Sequence, residues 1–252
     1  MDFFDTQETR SADQRAAEQG AALIAQVAHA ASLPGHGERL LDVEMRGLED
    51  LTRLPVLRKG DLMSAQLPED PFGGFAGPLG GFAHVFQSPG PIYEPGNRTQ
   101  DWWRFGRFLH ACGIGSDDLV QNCFAYHLTP AGMMFENGAA AVGATVLPAG
   151  TGQTEAQAQA AHHLGSTAYA GTPDYLKVIL EKADELGLAL KITKAAVSGG
   201  ALFPSLRASY AERGITCLQC YATADLGHVA YESSAMEGMI VDEGVIVEIV
   251  TP

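Results

Sequence analysis

The sequence predicts an α/β protein: a doubly wound, mostly parallel sheet with helices on both faces, a helical N-terminal segment and a short antiparallel tail. Three observations carry this expectation. From Asp118 onward, apolar runs of strand length alternate with longer amphipathic runs, the rhythm of repeated β–loop–α units. Gly143, Gly187 and Gly214 each fall where a helical pattern stops. The stretch 131–142 is so rich in small residues and methionine that it can lie close to a sheet, as a buried crossover between parallel strands does.

At 252 residues the chain can bury one large core or two modest lobes. Its 46% apolar and 18% charged content is that of a soluble globular protein. With 16 basic against 30 acidic residues the net charge is −14, which argues against nucleic-acid and anionic-membrane partners. No apolar run reaches transmembrane length, and the opening MDFFDTQETR is acidic without a signal-peptide core, so a cytoplasmic location is expected. Cys112, Cys123, Cys217 and Cys220 are too few for a disulfide scaffold of this size.

Residues 1–70 read as the helical segment and 71–252 as the α/β part. Over 11–31 apolar residues recur near helical spacing, with Asp13, Arg15 and Glu18 on the other side. Positions 38–54 read as one or two short helices ending at Pro55, and 54–62 as a turn plus a short helix. The stretch 68–95, crowded with glycine and proline, reads as a connecting, ligand-facing region with one short strand at 83–87. A helix is expected over 99–112. The central unit then runs strand 119–126, an N-cap at Thr129 with Pro130 in the first turn, helix 131–142, strand 144–148 and a glycine turn at 150–152. Helices at 154–164, 173–186 and 204–213 alternate with strands at 166–170, 194–198 and 215–221. Positions 228–232 and 239–250 read as strands of the antiparallel tail.

Open α/β sheets bind ligands at the carboxyl ends of their strands. Four such loops stand out: Tyr126–His127–Leu128–Thr129–Pro130, Gly171–Thr172–Pro173–Asp174–Tyr175, Ser198–Gly199–Gly200–Ala201–Leu202 and Tyr221–Ala222–Thr223–Ala224–Asp225. Glycine turns and helix starts suit anionic ligands because they offer unpaired N–H donors and a favourable dipole. Any doubly wound fold needs such turns, so each alone is a weak signal.

Taken together and in order, the landmarks are more specific. LPVLRKGDL at 54–62, DLVQNCFAYHLTPAG at 118–132, GATVLPAGTGQTE at 143–155, AGTPDYL at 170–176, VSGGAL at 197–202 and CYATADLG at 220–227 resemble the phenylacetate–CoA ligase branch of the adenylate-forming enzymes. That resemblance implies the N-terminal part of an AMP-forming carboxylate–CoA ligase. An aromatic, phenylacetate-like or other small carboxylic acid would react with ATP to give an acyl-adenylate, and CoA would then displace AMP. It also implies Mg²⁺ and a homodimer. By position, Ser198, Gly199, Gly200 and Ala201 resemble the loop along the adenine. Tyr221 and Ala222 resemble the adenosine-stacking turn, with Thr223 toward a phosphate or the acyl carboxylate and Asp225 on the metal. Phe124, Tyr126, His127, Thr129 and Pro130 resemble the wall of the acyl pocket.

The sequence departs from that pattern in three places. Where the family carries a hydroxyl- and glycine-rich phosphate loop with a lysine, this chain has FQSPGPIYEPG at 86–96, in which Ser88 and Gly90 keep a trace. Its prolines limit the N–H donors available to phosphate. In the turn, Ala222, Ala224 and Asp225 replace a glycine, a hydroxyl residue and a glutamate. The resemblance also puts the ribose-binding aspartate and a lysine-bearing C-terminal lid beyond Pro252, so that the lid domain is expected to be absent from this chain. The alternative is a non-catalytic or truncated relative that serves as a binding or assembly module.

Several residues have plainer readings. Spacing three in a strand puts Cys217 and Cys220 on opposite faces, as core residues rather than a metal or redox pair. His162 and His163 read as a solvated helix end and Met133–Met134 as core. Trp102–Trp103 with Phe105 and Phe108 read as a helix under the sheet. His127 and His228 stay open between ligand contact and ordinary hydrogen bonding, and Glu94 is expected to face solvent. No nucleophile elbow is present.

Overall fold

The computed structural model describes residues 3–97 and 99–250. The chain divides into two units, 1–98 and 99–252. In the first, Ser11 starts helix α1 (Ala12–Ala31) with a reciprocal cap. Its Oγ accepts the Gln14 N–H at 3.2 Å, and Gln14 Oε1 accepts the Ser11 N–H at 3.0 Å. Helix α2 (Pro34–Leu40) opens on a proline, Leu48–Arg53 is a 3-10 helix, and α3 (Lys59–Ala65) follows. The glycine- and proline-rich stretch read as a connector holds an antiparallel hairpin, β1 (His84–Ser88) and β2 (Ile92–Gly96). Proline hid the second strand; Pro95 is tolerated there because a two-stranded sheet has only edges.

The second unit carries a seven-stranded sheet. Its elements are α4 (Gly106–Ala111), β3 (Leu119–Asn122), α5 (Ala131–Ala141), β4 (Thr145–Pro148), α6 (Thr154–Leu164), β5 (Ala168–Gly171), α7 (Pro173–Glu185), β6 (Lys194–Val197), α8 (Pro204–Glu212), β7 (Thr216–Thr223), β8 (Gly227–Tyr231) and β9 (Ile240–Val241). The strand order is β4-β3-β5-β6-β7-β8-β9, parallel through β7 and antiparallel in β8 and β9. The chain moves outward from β3 to β4, then steps back across β3 to β5. With right-handed crossovers this reversal puts α5 on one face and α6, α7 and α8 on the other. The doubly wound, mostly parallel sheet expected from the sequence is the one observed.

Each face has its own core. Under α7 and α8 lie Tyr169, Leu176, Val197, Tyr210, Ile215 and Cys217. The opposite face is aromatic: Phe135 of α5 stacks on Phe124 at 4.4 Å between centroids and meets Phe105 at 4.6 Å. Phe108 of α4 stacks on His228 at 5.9 Å. At the amino edge, Asp118 accepts bonds from Lys194 Nζ at 2.8 Å, the Gly115 N–H at 2.9 Å and the Thr167 hydroxyl at 2.8 Å. Burial opposes ionisation of that carboxyl, but these bonds outweigh it and hold its pKa below the usual range.

Four expected elements differ, the first being the strand expected over 119–126, which ends at Asn122, where the chain leaves the sheet for the loop before α5. The helix foreseen at 99–112 is only α4, because Asp101 and Arg104 take positive φ (50° and 62°) and the Asp101 carboxylate receives the Gly106 N–H at 3.0 Å. The long final strand reduces to Ile240–Val241. Thr129 does not cap α5: the capping position is Pro130, with no side-chain bond.

Gly138 lets α5 approach α4. A Cβ there would lie 2.6 Å from Phe105 Cβ and 2.9 Å from the Phe105 carbonyl carbon. Alanine is the better helix former by about 1 kcal/mol, whereas overpacking costs about 1–3 kcal/mol. Gly138→Ala should therefore lower the midpoint of urea unfolding. A midpoint that stayed or rose would contradict this close approach.

Candidate functional site

The carboxyl edge of the parallel strands is organised by Asn122, the last residue of β3, whose side chain is fully buried. Its Nδ2 donates to the Gly132 carbonyl at 2.8 Å and to Tyr126 Oη at 2.8 Å, while its Oδ1 accepts the Phe124 N–H at 3.2 Å. Its carbonyl accepts the Gly150 N–H at 2.9 Å. One side chain and one carbonyl thus tie the loop after β3, the start of α5 and the loop after β4. Gly132 must be glycine for this, since a Cβ would meet the Ala125 carbonyl oxygen at 2.6 Å and the Tyr126 ring at 2.8 Å.

The loop after β4 is held by Gln157 of α6. Its Nε2 donates to the carbonyls of Ala149, Gly150 and Gly152 at 3.3, 2.9 and 2.8 Å. Gln121 Nε2 and the Cys123 thiol both donate to Gln157 Oε1, at 3.1 Å each, and orient the amide. Tyr175 Oη adds a bond to Gly152 O at 2.8 Å.

Against this frame each expected site residue has a definite place. Phe124 is buried against Phe135. Tyr126 is half-buried; its phenol accepts from Asn122 at 2.8 Å. Burial foremost, and then the Glu136 carboxylate, raise its pKa well above the usual tyrosine value. His127 is exposed, and its carbonyl accepts the Thr129 N–H at 2.9 Å. Pro130 is buried at the start of α5. Ser198 is buried and committed: its hydroxyl donates to the Cys220 carbonyl at 3.0 Å, and its N–H to Gly171 O at 3.2 Å.

The glycine turn after β6 meets the loops after β3 and β5. Gly199 has φ +72°, and a Cβ on it would lie 3.7 Å from both Phe124 Cε1 and Thr172 Cγ2. A Cβ on Gly200 would lie 3.4 Å from Pro173 Cδ, and Ala201 is exposed beside them. Tyr221 stands 57% exposed, at the register shift between Tyr221 and Ala222. The Thr223 hydroxyl accepts the Leu226 N–H at 3.0 Å and closes the turn on which Asp225 is exposed.

His228, left open by the sequence, pairs with Ala222 along β7 and β8, but its ring is not exposed to a ligand. It is fully buried against Phe108, with Nδ1 3.2 Å from Asp242 Oδ2. Cys217 and Cys220 are buried free thiols, as the strand spacing predicts. The sequence reading passed over Gln121, Asn122 and Gln157. The available signal was a Gln–Asn pair inside an apolar strand run, because buried amides need built partners.

The groups implied by the resemblance fit unevenly. Magnesium bound with a nucleotide takes one or two carboxylates plus phosphate oxygens, and the exposed Asp225 is a donor of that kind. Among the described residues no cluster of three or more His, Cys, Asp or Glu could hold a metal on its own. The stretch that the resemblance makes the phosphate loop holds a buried carboxylate. Glu94, expected to face solvent, is 5% exposed, because strand alternation turns Ile92, Glu94 and Gly96 inward and Tyr93 outward. Its Oε1 accepts from the Ser88 hydroxyl at 2.8 Å and from Lys59 Nζ at 3.1 Å.

The fold is that of an adenylate-forming acyl–CoA ligase. A 2-hydroxyisobutyryl-CoA ligase, solved with 2-HIB-AMP and CoA, superposes with a TM-score of 0.84 over 94% of this chain and 55% of that one, at 23% identity. In sequence the chain is similar to phenylacetate-coenzyme A ligases, as its landmarks imply. It is 30% identical over 152 residues to that of Aromatoleum evansii (58% of this chain, 34% of the relative). To that of Thermus thermophilus it is 32% identical over 151 residues (57% and 33%). To that of Escherichia coli it is 28% identical over 198 residues (73% and 44%). The chain thus spans between a third and under half of these relatives' lengths. No family model matches it.

Asn122→Asp tests the frame without a change of shape. The variant places a carboxylate oxygen against the Gly132 carbonyl and Tyr126, and burial pushes its pKa up. A raised folded-state pKa leaves stability in place below the unfolded carboxyl value and removes it as pH rises. The variant should lose about 1–3 kcal/mol near neutral pH and recover part of it toward about pH 4, as read by urea unfolding at both. Parental stability at neutral pH would contradict the role given to Asn122.

Proposed function

We propose that this chain carries the acyl- and adenosine-binding part of an acyl–CoA ligase whose central ligand is the acyl-adenylate of an aromatic or other small carboxylic acid. The observation that carries the reading is the meeting of Phe124, Thr172 and the Gly199–Gly200 turn at one sheet edge, in a chain similar to phenylacetate-coenzyme A ligases. On this reading Phe124, Tyr126, His127, Thr129 and Pro130 line the acyl site. Ser198, Gly199, Gly200, Ala201, Tyr221 and Ala222 lie along the adenosine, and Thr223 bonds the phosphate or acyl carboxyl.

Chemistry supports an apolar acid. Phe124 is buried and apolar and Tyr126 is half-buried with its phenol already taken by Asn122, so these residues offer the substrate mainly ring surface. The N–H groups at 199–201 would favour negative charge on the ester phosphate. Asp225 would hold Mg²⁺, which supplies charge neutralisation at phosphate when a nucleotide is bound. ATP, CoA, a homodimer and a cytoplasmic setting belong to the same reading of the whole protein. The net charge of −14 supports the absence of nucleic acid as a partner. Among the described residues no helix is long and apolar enough to cross a membrane.

A second reading, a relative that keeps the fold as a binding or assembly module, is favoured by one observation, the engaged Ser88–Glu94–Lys59 cluster in place of a phosphate loop.

A melting-temperature series separates the two. A non-hydrolysable phenylacetyl-adenylate mimic at a hundred times its dissociation constant should add roughly 2.7 kcal/mol of stability, and more than AMP or phenylacetate alone. Absence of any shift with the mimic would remove the acyl-adenylate reading and leave the module.

A further inference from the structure

The turn between β7 and β8 carries Thr223 and Asp225, and it is held by a residue 122 positions earlier in the chain. Arg104 Nη2 donates to the Leu226 carbonyl and, at 3.0 Å, to the His228 carbonyl. The Leu226 N–H is given to Thr223 Oγ1 at 3.0 Å. Leu226 is thus fixed through both its N–H and its carbonyl. The Thr223 hydroxyl, which accepts in that bond, keeps its own proton to donate. The backbone beside Arg104 closes in on the same place. The His228 N–H donates to the Trp103 carbonyl at 2.9 Å, and a Cβ on Gly227 would lie 2.7 Å from that oxygen.

The guanidinium is itself aimed. Asp242, 1% exposed, accepts Arg104 Nε and the Gly244 N–H on Oδ1, each at 2.9 Å. Its Oδ2 lies 3.2 Å from His228 Nδ1. Burial opposes ionisation of this carboxyl, but the bonds from His228 and Gly244 and the Arg104 charge outweigh it and hold its pKa below the usual range. One guanidinium therefore joins the turn, β8 and the residue after β9, a geometry that the single ammonium of a lysine does not reproduce. The backbone that delivers it is bent. Asp101 and Arg104 take φ of +50° and +62°, a conformation that residues other than glycine seldom adopt and that persists where surrounding contacts fix it. The Arg104 side chain is still 35% exposed, so its place is not explained by core packing.

We propose that Arg104 is a positioning residue for the nucleotide: by clamping Leu226 it sets the turn that presents Tyr221, Thr223 and Asp225, without touching the ligand itself. This rests on the adenosine and metal reading of 221–225. The acyl wall at 124–130 is framed separately, by Asn122. Loss of the clamp therefore falls on the nucleotide and spares the acid.

Calorimetry with AMP and the phenylacetyl-adenylate mimic, and ligand-observed NMR with phenylacetate, test this on the parental chain, Arg104→Ala and Arg104→Gly. Both variants should bind AMP and the mimic at least about tenfold more weakly, and phenylacetate within about twofold of the parent. Without ligand, their amides at 224–226 should exchange faster while those of β6 keep the parental rates. Glycine accepts a φ of +62° without strain, so a folding defect in the alanine variant leaves the glycine variant informative. Parental AMP affinity in a folded variant would overturn the assignment and leave the acyl-adenylate reading standing. Equal weakening of AMP and phenylacetate, or unchanged exchange at 224–226, would do the same. Loss of the fold in both variants would make Arg104 a stability residue and overturn the assignment as well. A parental chain that bound neither AMP nor the mimic would remove the acyl-adenylate reading and this inference with it.

Discussion

The carboxyl edge of this sheet depends on one buried amide. Asn122 has no water to bond, so every polar atom it carries must find protein. It does so by fixing the loop after β3 through Phe124 N–H and Tyr126, and the start of α5 through Gly132 O. Its backbone carbonyl fixes Gly150. Because these partners lie on different elements, the positions of Phe124 and of the loop after β4 follow from that residue. Gln157 repeats the device one strand over, with three loop carbonyls taken by one amide. Loops that carry ligand groups are otherwise the mobile parts of an α/β fold. Here buried amides hold them.

The architecture was legible because its signals are local. Gly143, Gly187 and Gly214 take φ of +77°, +66° and +75°, a conformation that ends a helix and that other residues resist. The helices between β3 and β7 were therefore read nearly to the residue, whereas β3, expected over 119–126, ends at Asn122. What was misread depends on contacts distant in sequence or on mixed composition. Nothing in the sequence near Trp102–Trp103 announces that Asp101 and Arg104 turn into positive φ and shorten the helix. Arg104 is drawn out to Asp242, 138 residues on, at 2.9 Å. Glycine and proline concealed the hairpin at 84–96, and with it the alternation that turns Glu94 inward.

The strand-end loops could be picked out as candidates from glycine turns and helix starts. Their internal economy could not. Ser198 is invisible as a structural residue until its hydroxyl is seen on Cys220 O, and so is Tyr126 until its phenol is seen to accept from Asn122. Polar residues inside apolar strands, Gln121 and Asn122, were the signal that such a network exists. Its partners lie up to 36 residues away, beyond what periodicity reports.

The central claim is that the loops framed by Asn122 form the ligand site. Hydrogen–deuterium exchange with and without the phenylacetyl-adenylate mimic addresses it by location. The account predicts slower exchange confined to 123–130, 171–173, 198–202 and 221–226. Protection that fell instead on the opposite, amino edge of the sheet around Asp118 and Thr167 would contradict it.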